Sequence, residues 1–494
     1  MDAYEIITLV VIIYAVIYTG TKVIFSVISL VQIRLYTKKY PHISTEEEVR
    51  SIVKAKSRDL PLISIIAPAF NEAPIIIESV KSFLNQSYPN TEVIVSSDGG
   101  TDGTLEKLIE YFQLFEVDFK GRESDNIIHQ PVKRYFKCQK FRNLIVIDKE
   151  NGGKSDAQNA AISIASGEII ATIDADSVLE KNALMHIANI FERDEKTIGI
   201  GTPIGVVNDS NVGPDGVADA SIPKSLWAKI QVIEYLRSFL LGRMAMQKLR
   251  GLIIISGAFA VYQRWILEAV GGYTPRSFAE DMDVDCKIWK FIDHNRLKLS
   301  IKYIPEVFCW TQVPDTFKVL RIQRDRWARG LTQTIFRNRD LFFNFRYKLL
   351  GLFSYPYYLF FEWLTPFVEI LGLLYLIFLT ATGTLEYLLL GKIFLIYYTI
   401  GLILNIITIT VEAFTGGHYK NSASLRKLAL IALIEPIFYH WINSFLYIQG
   451  NINLVIRRSM KWGKMDRRVL RTVLMNNNRK KKNGELKKES SLVD

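Results

Sequence analysis

Cysteine is nearly absent: Cys138, Cys286 and Cys309 are the three in 494 residues. Their wide separation excludes a disulfide framework and a cysteine metal site, and fits a reducing compartment. The N-terminus lacks the marks of a signal peptide, with no basic stretch ahead of its apolar run and no small-residue cleavage site after it. Acidic residues are the scarcer charge, 50 against 61 Lys and Arg, for a net charge of +11. No nucleic-acid motif accompanies that excess. The basic residues gather at membrane edges and in the tail, so an anionic leaflet and anionic nucleotide substrates explain them better than nucleic acid does.

What is present points to two kinds of unit. With 49% hydrophobic and 22% charged residues, the chain fits neither a purely soluble enzyme nor a pure membrane bundle. Its length also exceeds one ordinary core. Residues 6–31 form a long apolar run, interrupted by Lys22, that reads as a transmembrane helix with Lys22 snorkelling or facing protein. Arg34, Lys38 and Lys39 follow and place the next segment in the cytosol. Residues 358–380 and 388–411 read as further spans, with Glu362 and Glu369 turned away from lipid. Residues 428–449 are long enough to cross, but Glu435-Pro436 and Tyr439-His440-Trp441 break the apolar character, so an interfacial or re-entrant element is expected. The basic tail from Arg457 belongs on the cytosolic side, which requires an even number of crossings. The divisions are therefore 1–34 (N-terminal span), 35–340 (cytosolic domain), 341–456 (membrane region) and 457–494 (basic cytosolic tail).

Between 62 and 310, apolar strand patterns alternate with helical ones. Strands are expected at 63–67, 92–95, 144–147 and 169–173, and helices at 71–86 and 155–165. This is an α/β pattern, a mostly parallel doubly wound sheet, whose ligands bind at the carboxyl ends of the strands. Residues 115–140 and 205–220 lack periodicity and read as loops or insertions. Residues 227–249 mix basic and apolar residues at helical spacing, fitting either a membrane-interface helix or one packed on the sheet.

Candidate chemistry lies at the strand ends. Asp174-Ala175-Asp176 follows a buried strand; two carboxylates on one turn suit a hard cation, Mg²⁺ or Mn²⁺, with open positions for phosphate oxygens. A solvated turn is the plain alternative. Asp98-Gly99-Gly100 also ends a strand, and its glycines allow close approach to a ligand or simply make the turn. Lys154 sits on a Gly-rich turn at a helix start, suited to a phosphate or sugar, or to solvent. Glu280-Asp281 offers a general base if burial raises a pKa, or a helix N-terminal acidic pair. Gln323, Arg326 and Trp327 share one helix face, where Arg binds diphosphate and Trp stacks on sugar. The alternative is a basic interfacial helix, which Arg321, Arg324, Arg329 and Arg337 favour for the residues around them.

In this order, D, D-x-D, E-D and Q-x-x-R-W beside apolar spans, the chain resembles the membrane-integrated family 2 glycosyltransferases, among them the cellulose, chitin, hyaluronan and poly-N-acetylglucosamine synthases. Pro68-Ala69-Phe70-Asn71-Glu72, Asn151-Gly152-Gly153-Lys154, Ser256-Gly257-Ala258-Phe259 and Cys309-Trp310-Thr311 support the likeness. The resemblance implies a Rossmann-like GT-A fold, a UDP-sugar donor, Mg²⁺ or Mn²⁺, and inversion at the anomeric carbon. Residue by residue, it implies that Asp98 contacts the nucleotide base, Lys154 and Asp174 hold the donor, and Asp176 with Asp174 holds the metal. Asp281 would deprotonate the acceptor hydroxyl, with Glu280 on the acceptor side. Gln323, Arg326 and Trp327 would hold the diphosphate, and Trp327 also the acceptor end. Ser97 stands where many members carry a second acid, which puts donor recognition in question. No Asp-x-Ser-x-x-Gly with an upstream Arg-x-x-x-Arg follows the last span, so a cyclic-di-GMP-binding module is not expected. The implied product is a polysaccharide extended at the cell membrane by a cytosolic catalytic domain, with an accessory or export protein as an optional partner. The alternatives are a glycolipid synthase with a lipid acceptor and a non-catalytic membrane subunit; the second is opposed by the presence of every carboxylate.

Overall fold

The computed structural model describes residues 3–40, 60–213, 215–415, 418–419, 421–457 and 471–472. Most of the expected basic tail lies outside these residues. The chain opens with α1 (Ala3–Lys39). A nine-stranded sheet then runs in the order β13-β8-β12-β6-β1-β2-β5-β4-β3. At its centre are β1 (Ile63–Ala69), β2 (Thr91–Ser97), β5 (Leu144–Lys149) and β6 (Ile169–Ile173), all parallel and almost entirely buried. Runs of Ile and Val bury both faces, as parallel strands covered by helices require. The covering helices include α2 (Ile76–Leu84), α3 (Thr104–Phe112), α4 (Lys154–Ile164) and α5 (Ala183–Arg193). Beyond β6 lie β12 (Phe259–Gln263), β8 (Thr197–Gly201) and β13 (Ser300–Tyr303). Because β12 is antiparallel to both neighbours, the sheet is mixed rather than mostly parallel.

Two segments expected as loops fold into strands. Residues 115–140 contain most of β3 (Leu114–Val117) and all of β4 (Val132–Cys138), which pair antiparallel at the sheet edge. Their outward faces carry Lys, Arg and Glu, which hid the alternation. Residues 205–220 carry three short strands: β9 (Ile204–Val206), β10 (Asn211–Gly213) and β11 (Gly216–Asp219). β9 joins β7 (Val178–Leu179) and β14 (Cys309–Thr311) in a small second sheet. Strands this short show no period. The helix expected at 71–86 begins only at Ile76. Asn71 takes φ +59°, a conformation Asn tolerates, and Asn71 to Ala73 are stitched to Thr101, Asp102 and Thr104 by hydrogen bonds of 2.8–3.0 Å.

Four helices among the described residues are long and apolar enough to cross a membrane: Thr8–Lys39, Leu350–Thr382, Leu390–Thr415 and Ser422–Val455. The last corrects the expected re-entrant element at 428–449. It is one continuous helix of 34 residues with Pro436 inside it. The polar residues that seemed to interrupt it are satisfied internally: Glu435 accepts from Arg237 at 2.9 and 3.0 Å and from Asn405 at 3.1 Å. Three of the four follow the sheet, an odd number, whereas a cytosolic sheet and a cytosolic basic tail together need an even number of crossings after it. Lys22 faces protein, donating to Glu362 (3.2 Å) and Tyr357 (2.9 Å), and Glu369 is paired with His440 and Ser444.

Three helical segments join the layers. The 227–249 segment forms α6 (Leu226–Leu236), then wide turns at Arg237–Arg243 and a short helix. It packs mainly beneath the candidate spans, with Ser29 of α1 donating to the Leu241 carbonyl at 2.7 Å, and its short last helix also touches β13, where Tyr303 N donates to Gln247. The second, α7 (Glu280–His294), carries the acidic pair, and α8 (Phe317–Arg337) carries the Gln323–Trp327 turn. The remaining helices are α9 (Thr365–Thr382), α10 (Tyr387–Thr415) and α11 (Ser422–Val455). α8 lies along α11 so closely that a Cβ on Gly450 would stand 2.7 Å from the Ala328 Cβ. Asn453 adds a 2.6 Å hydrogen bond to Asp325.

Candidate active site

Parallel strands deliver their carboxyl ends to one edge of the sheet, and an antiparallel strand delivers its amino end there. Asp98 after β2, Asn151 to Lys154 after β5, Asp174 to Asp176 after β6 and Ser256 to Ala258 before β12 therefore meet by topology alone. The start of α7 and the inner face of α8 close the site from the other side. One cavity of about 1120 Å³ is lined by every residue singled out in the sequence: Asp98, Lys154, Asp174, Asp176, Glu280, Asp281, Gln323, Arg326 and Trp327.

Asp98, which the resemblance assigns to the nucleotide base, lines the cavity and is held by protein groups. It is buried, and its oxygens accept from Lys149 Nζ (2.7 Å), Gly152 N (2.9 Å), Gly153 N (2.8 Å) and Asn151 Nδ2 (3.2 Å). Asp98 thus holds the loop in front of Lys154. Burial raises its carboxyl above the usual range, and the Lys149 and loop hydrogen bonds only partly counter this. Lys149, fully buried, also contacts Asp156 at 2.6 Å. This Asp98–Lys149–Asp156 triad escaped the sequence reading. Its signal was a lysine ending a strand whose first four residues are apolar.

Lys154 stands at the centre of the acidic cluster. Its ammonium is 2.7 Å from Asp174 Oδ1, 2.9 Å from Glu280 Oε1 and 3.1 Å from the Gly257 carbonyl. Burial alone would lower its pKa, but Asp174 and Glu280 hold it above the ordinary lysine value. Glu280 is buried, which opposes ionisation; Lys154 and then Arg326 outweigh that and hold it below the usual range. Asp281 goes the other way. Burial, and then the neighbouring Glu280 charge, push it up to about 6. Two adjacent carboxylates with pKa values driven apart make one fixed charge and one titratable base. Asp281 is oriented by the backbone N–H groups of Gly257 (3.0 Å) and Met282 (2.9 Å). One turn further, burial pushes Asp285 up to about 8, against hydrogen bonds from the Tyr262 hydroxyl and Ile255 N–H.

Gly257 is the hinge of this arrangement and was noticed in the sequence only as part of a supporting match. A Cβ there would lie 3.1 Å from Lys154 Nζ and 3.3 Å from both Asp281 Oδ2 and Glu280 Oε1. Gly257→Ala should therefore displace the base and the lysine together. We expect turnover to fall by about 10²-fold with the melting temperature almost unchanged, measured by product release and thermal unfolding.

On α8 the expectation for the surrounding arginines is overturned. Arg324 is buried, pairs with Glu234 of α6 (2.6 and 2.7 Å) and Tyr439 (3.0 Å), and lies 4.3 Å from the Trp327 ring centroid. Arg329 is buried against Asp325 at 2.9 Å, and Arg337 pairs with Asp283. Of the four, Arg321 and Arg337 are exposed. α8 lies under the candidate spans, and Arg324, Arg329 and Arg337 meet protein carboxylates there. Trp327 stacks on Tyr235 (6.4 Å, 30°), and the buried Gln323 Oε1 has no protein donor among the described residues. An orphaned buried acceptor facing a cavity fits a hydroxyl-bearing ligand.

A hard divalent cation fits the donor set at Asp174 and Asp176, which supplies oxygens only. No group of three metal-ligating side chains occurs among the described residues, so most of the coordination shell must come from a ligand.

Comparison with known proteins agrees with this geometry. Residues 135–330 match the model described as "Glycosyltransferase like family 2", and residues 64–129 the model "Glycosyl transferase family 2". Poly-beta-1,6-N-acetyl-D-glucosamine synthase of Staphylococcus epidermidis is 29% identical over 410 residues, 81% of this chain and 85% of that protein. The probable glycosyltransferase YdaM of Bacillus subtilis is 25% identical over 62% of this chain and 64% of its own. Among solved structures, the mannosyltransferase PcManGT from Pyrobaculum calidifontis, in complex with GDP-Man and Mn²⁺, aligns with a TM-score of 0.52 at 18% identity. It covers 92% of this chain and 100% of its own, a likeness of GT-A-like fold.

Proposed function

We propose that this chain, a member of glycosyltransferase family 2, extends a polysaccharide at the membrane by transferring N-acetylglucosamine from its UDP-linked form to the growing end. The observation that carries the polymer reading is the continuity of the cavity. From Lys154 and Asp281 it passes Trp327 and Tyr235 and runs on between the candidate spans, lined there by Tyr18, Glu362, Tyr397, His440 and Tyr447. Aromatic and hydrogen-bonding side chains are the surfaces that a sugar chain meets well. A single-sugar glycolipid synthase needs no such extension. The synthase name of the staphylococcal relative supports the choice of sugar.

In this reading Asp281 takes the proton of the acceptor hydroxyl. The freed oxygen attacks the anomeric carbon from the face opposite UDP, the bond from that carbon to the diphosphate oxygen breaks, and the configuration inverts. Lys154 and Arg326 face the charge that develops on the departing diphosphate. Trp327 and Gln323 position the acceptor end, and Asp98 and Lys149 keep the loop before Lys154 in place. A Mg²⁺ or Mn²⁺ ion held by Asp174 and Asp176 would supply Lewis-acid neutralisation of the leaving group. Arg34, Lys38 and Lys39 at the end of α1 support a cytosolic catalytic sheet under a multi-pass cell-membrane anchor.

The test is purified protein in lipid nanodiscs with radiolabelled UDP-N-acetylglucosamine and Mn²⁺. The expected product is a ladder of long oligomers, abolished by EDTA and restored by Mn²⁺ or Mg²⁺. A single lipid-extractable spot would make it a glycolipid synthase, and undiminished activity in EDTA would remove the metal.

A further inference from the structure

We propose that Lys154 is a built-in counter-cation that keeps bare divalent metal off Asp174, so that the metal enters only together with the donor's diphosphate. This rests on the glycosyltransferase reading above.

A lysine ammonium has three N–H donors, and here each meets an oxygen: Asp174 Oδ1, Glu280 Oε1 and the Gly257 carbonyl. The ammonium needs no ligand to be satisfied. It is fixed from below as well, because Lys154 opens α4 directly after Gly153 at φ +89°, in the loop clamped by Asp98. A bare Mg²⁺ or Mn²⁺ approaching Asp174 has to displace this cation. In return it gains two neighbouring carboxylates, Asp174 and Asp176, with no third ligating side chain grouped with them among the described residues. An octahedral ion that dehydrates reluctantly finds that a poor exchange.

A metal–diphosphate complex changes the terms. It brings its own phosphate oxygens to the metal, and its negative oxygens offer the ammonium new acceptors within the same cavity. Lys154 then turns from carboxylate to phosphate instead of losing its partners, and Arg326, whose field already acts on Glu280, adds a second cation. Metal and nucleotide therefore reinforce each other's binding, and linkage makes the two enhancements equal.

The experiment is Mn²⁺ binding to the full chain in nanodiscs, followed by electron paramagnetic resonance and calorimetry, with and without UDP. For the parent, UDP should tighten Mn²⁺ binding by at least about tenfold, a typical coupling factor. Lys154→Met should tighten bare Mn²⁺ by about tenfold and shrink the UDP enhancement correspondingly, while Lys154→Arg, which keeps the charge, stays near the parent. Thermal unfolding of both variants confirms that they are folded. Bare Mn²⁺ binding as tightly as in the presence of UDP, or unchanged bare-metal affinity in Lys154→Met, overturns the proposal. If Mn²⁺ fails to bind even with UDP, or Asp176→Asn leaves that binding intact, the metal reading of the site falls with it. Intact UDP-dependent binding with a silent Lys154→Met removes this inference alone.

Discussion

Asp281→Asn should leave UDP binding within about twofold of the parent and lower turnover by about 10²–10⁴-fold, the range a general base supplies. The amide is nearly the same size, and its single oxygen keeps one of the two backbone N–H contacts, which go to different carboxylate oxygens, so the side chain stays close to its place while proton acceptance is lost. A drop in the catalytic rate without a rise in donor KM marks an interaction made only in the transition state. The pH profile supplies a second reading. The base must be ionised to work, and burial beside Glu280 sets its pKa at about 6. Activity should therefore be full above about pH 7, half-maximal near 6, and lost as the pH falls further. Unchanged turnover in the variant would end the assignment of Asp281 as the base.

Lys149→Met should have the largest effect on stability. The ammonium is fully buried between Asp98 at 2.7 Å and Asp156 at 2.6 Å. Removing it leaves two buried carboxylates facing each other without their cation, a loss of about 3–5 kcal/mol for a broken buried pair. Because Asp98 also holds Asn151 to Gly153, donor affinity should weaken along with the melting temperature. The combined change Lys149→Met with Asp98→Asn should recover part of the stability, since the orphaned charge is then gone. Additive losses in that cycle would mean that the triad is not a coupled unit.

The motifs were legible because topology turns sequence position into spatial position. Asp98, Lys154 and Asp174 each follow a strand of apolar residues, and parallel strands bring such positions to one edge. The spans were legible from length and hydropathy, and Lys22, Glu362 and Glu369 from the cost of charge in lipid. What could not be read was partnership. Arg324 in Gln323-Arg324-Asp325-Arg326-Trp327 looks like a lipid-facing cation until Glu234, ninety positions earlier by the spacing of the pair, is found beside it. Likewise, Glu435 seemed to break a span because Arg237 and Asn405, which satisfy it, lie far off in the chain. Lys149 was hidden by the prior that lysine is exposed. The edge strands β3 and β4 were hidden by a polar outer face, and β9 to β11 by being too short to show a period. In each case the missing term is a long-range contact, which composition and periodicity do not carry.

The closeness of α8 and α11 at Gly450 has a mechanical consequence. Backbones touching at this distance, tied further by Asn453 to Asp325 and Asn451 to Thr332, have no soft layer between them. A bilayer that tilts α11 to match its hydrocarbon thickness must tilt the Gln323–Trp327 turn with it. Turnover should thus vary between nanodiscs of short-chain and long-chain lipids at constant donor affinity, with lipid thickness acting on the reaction through a lever whose pivot is a glycine.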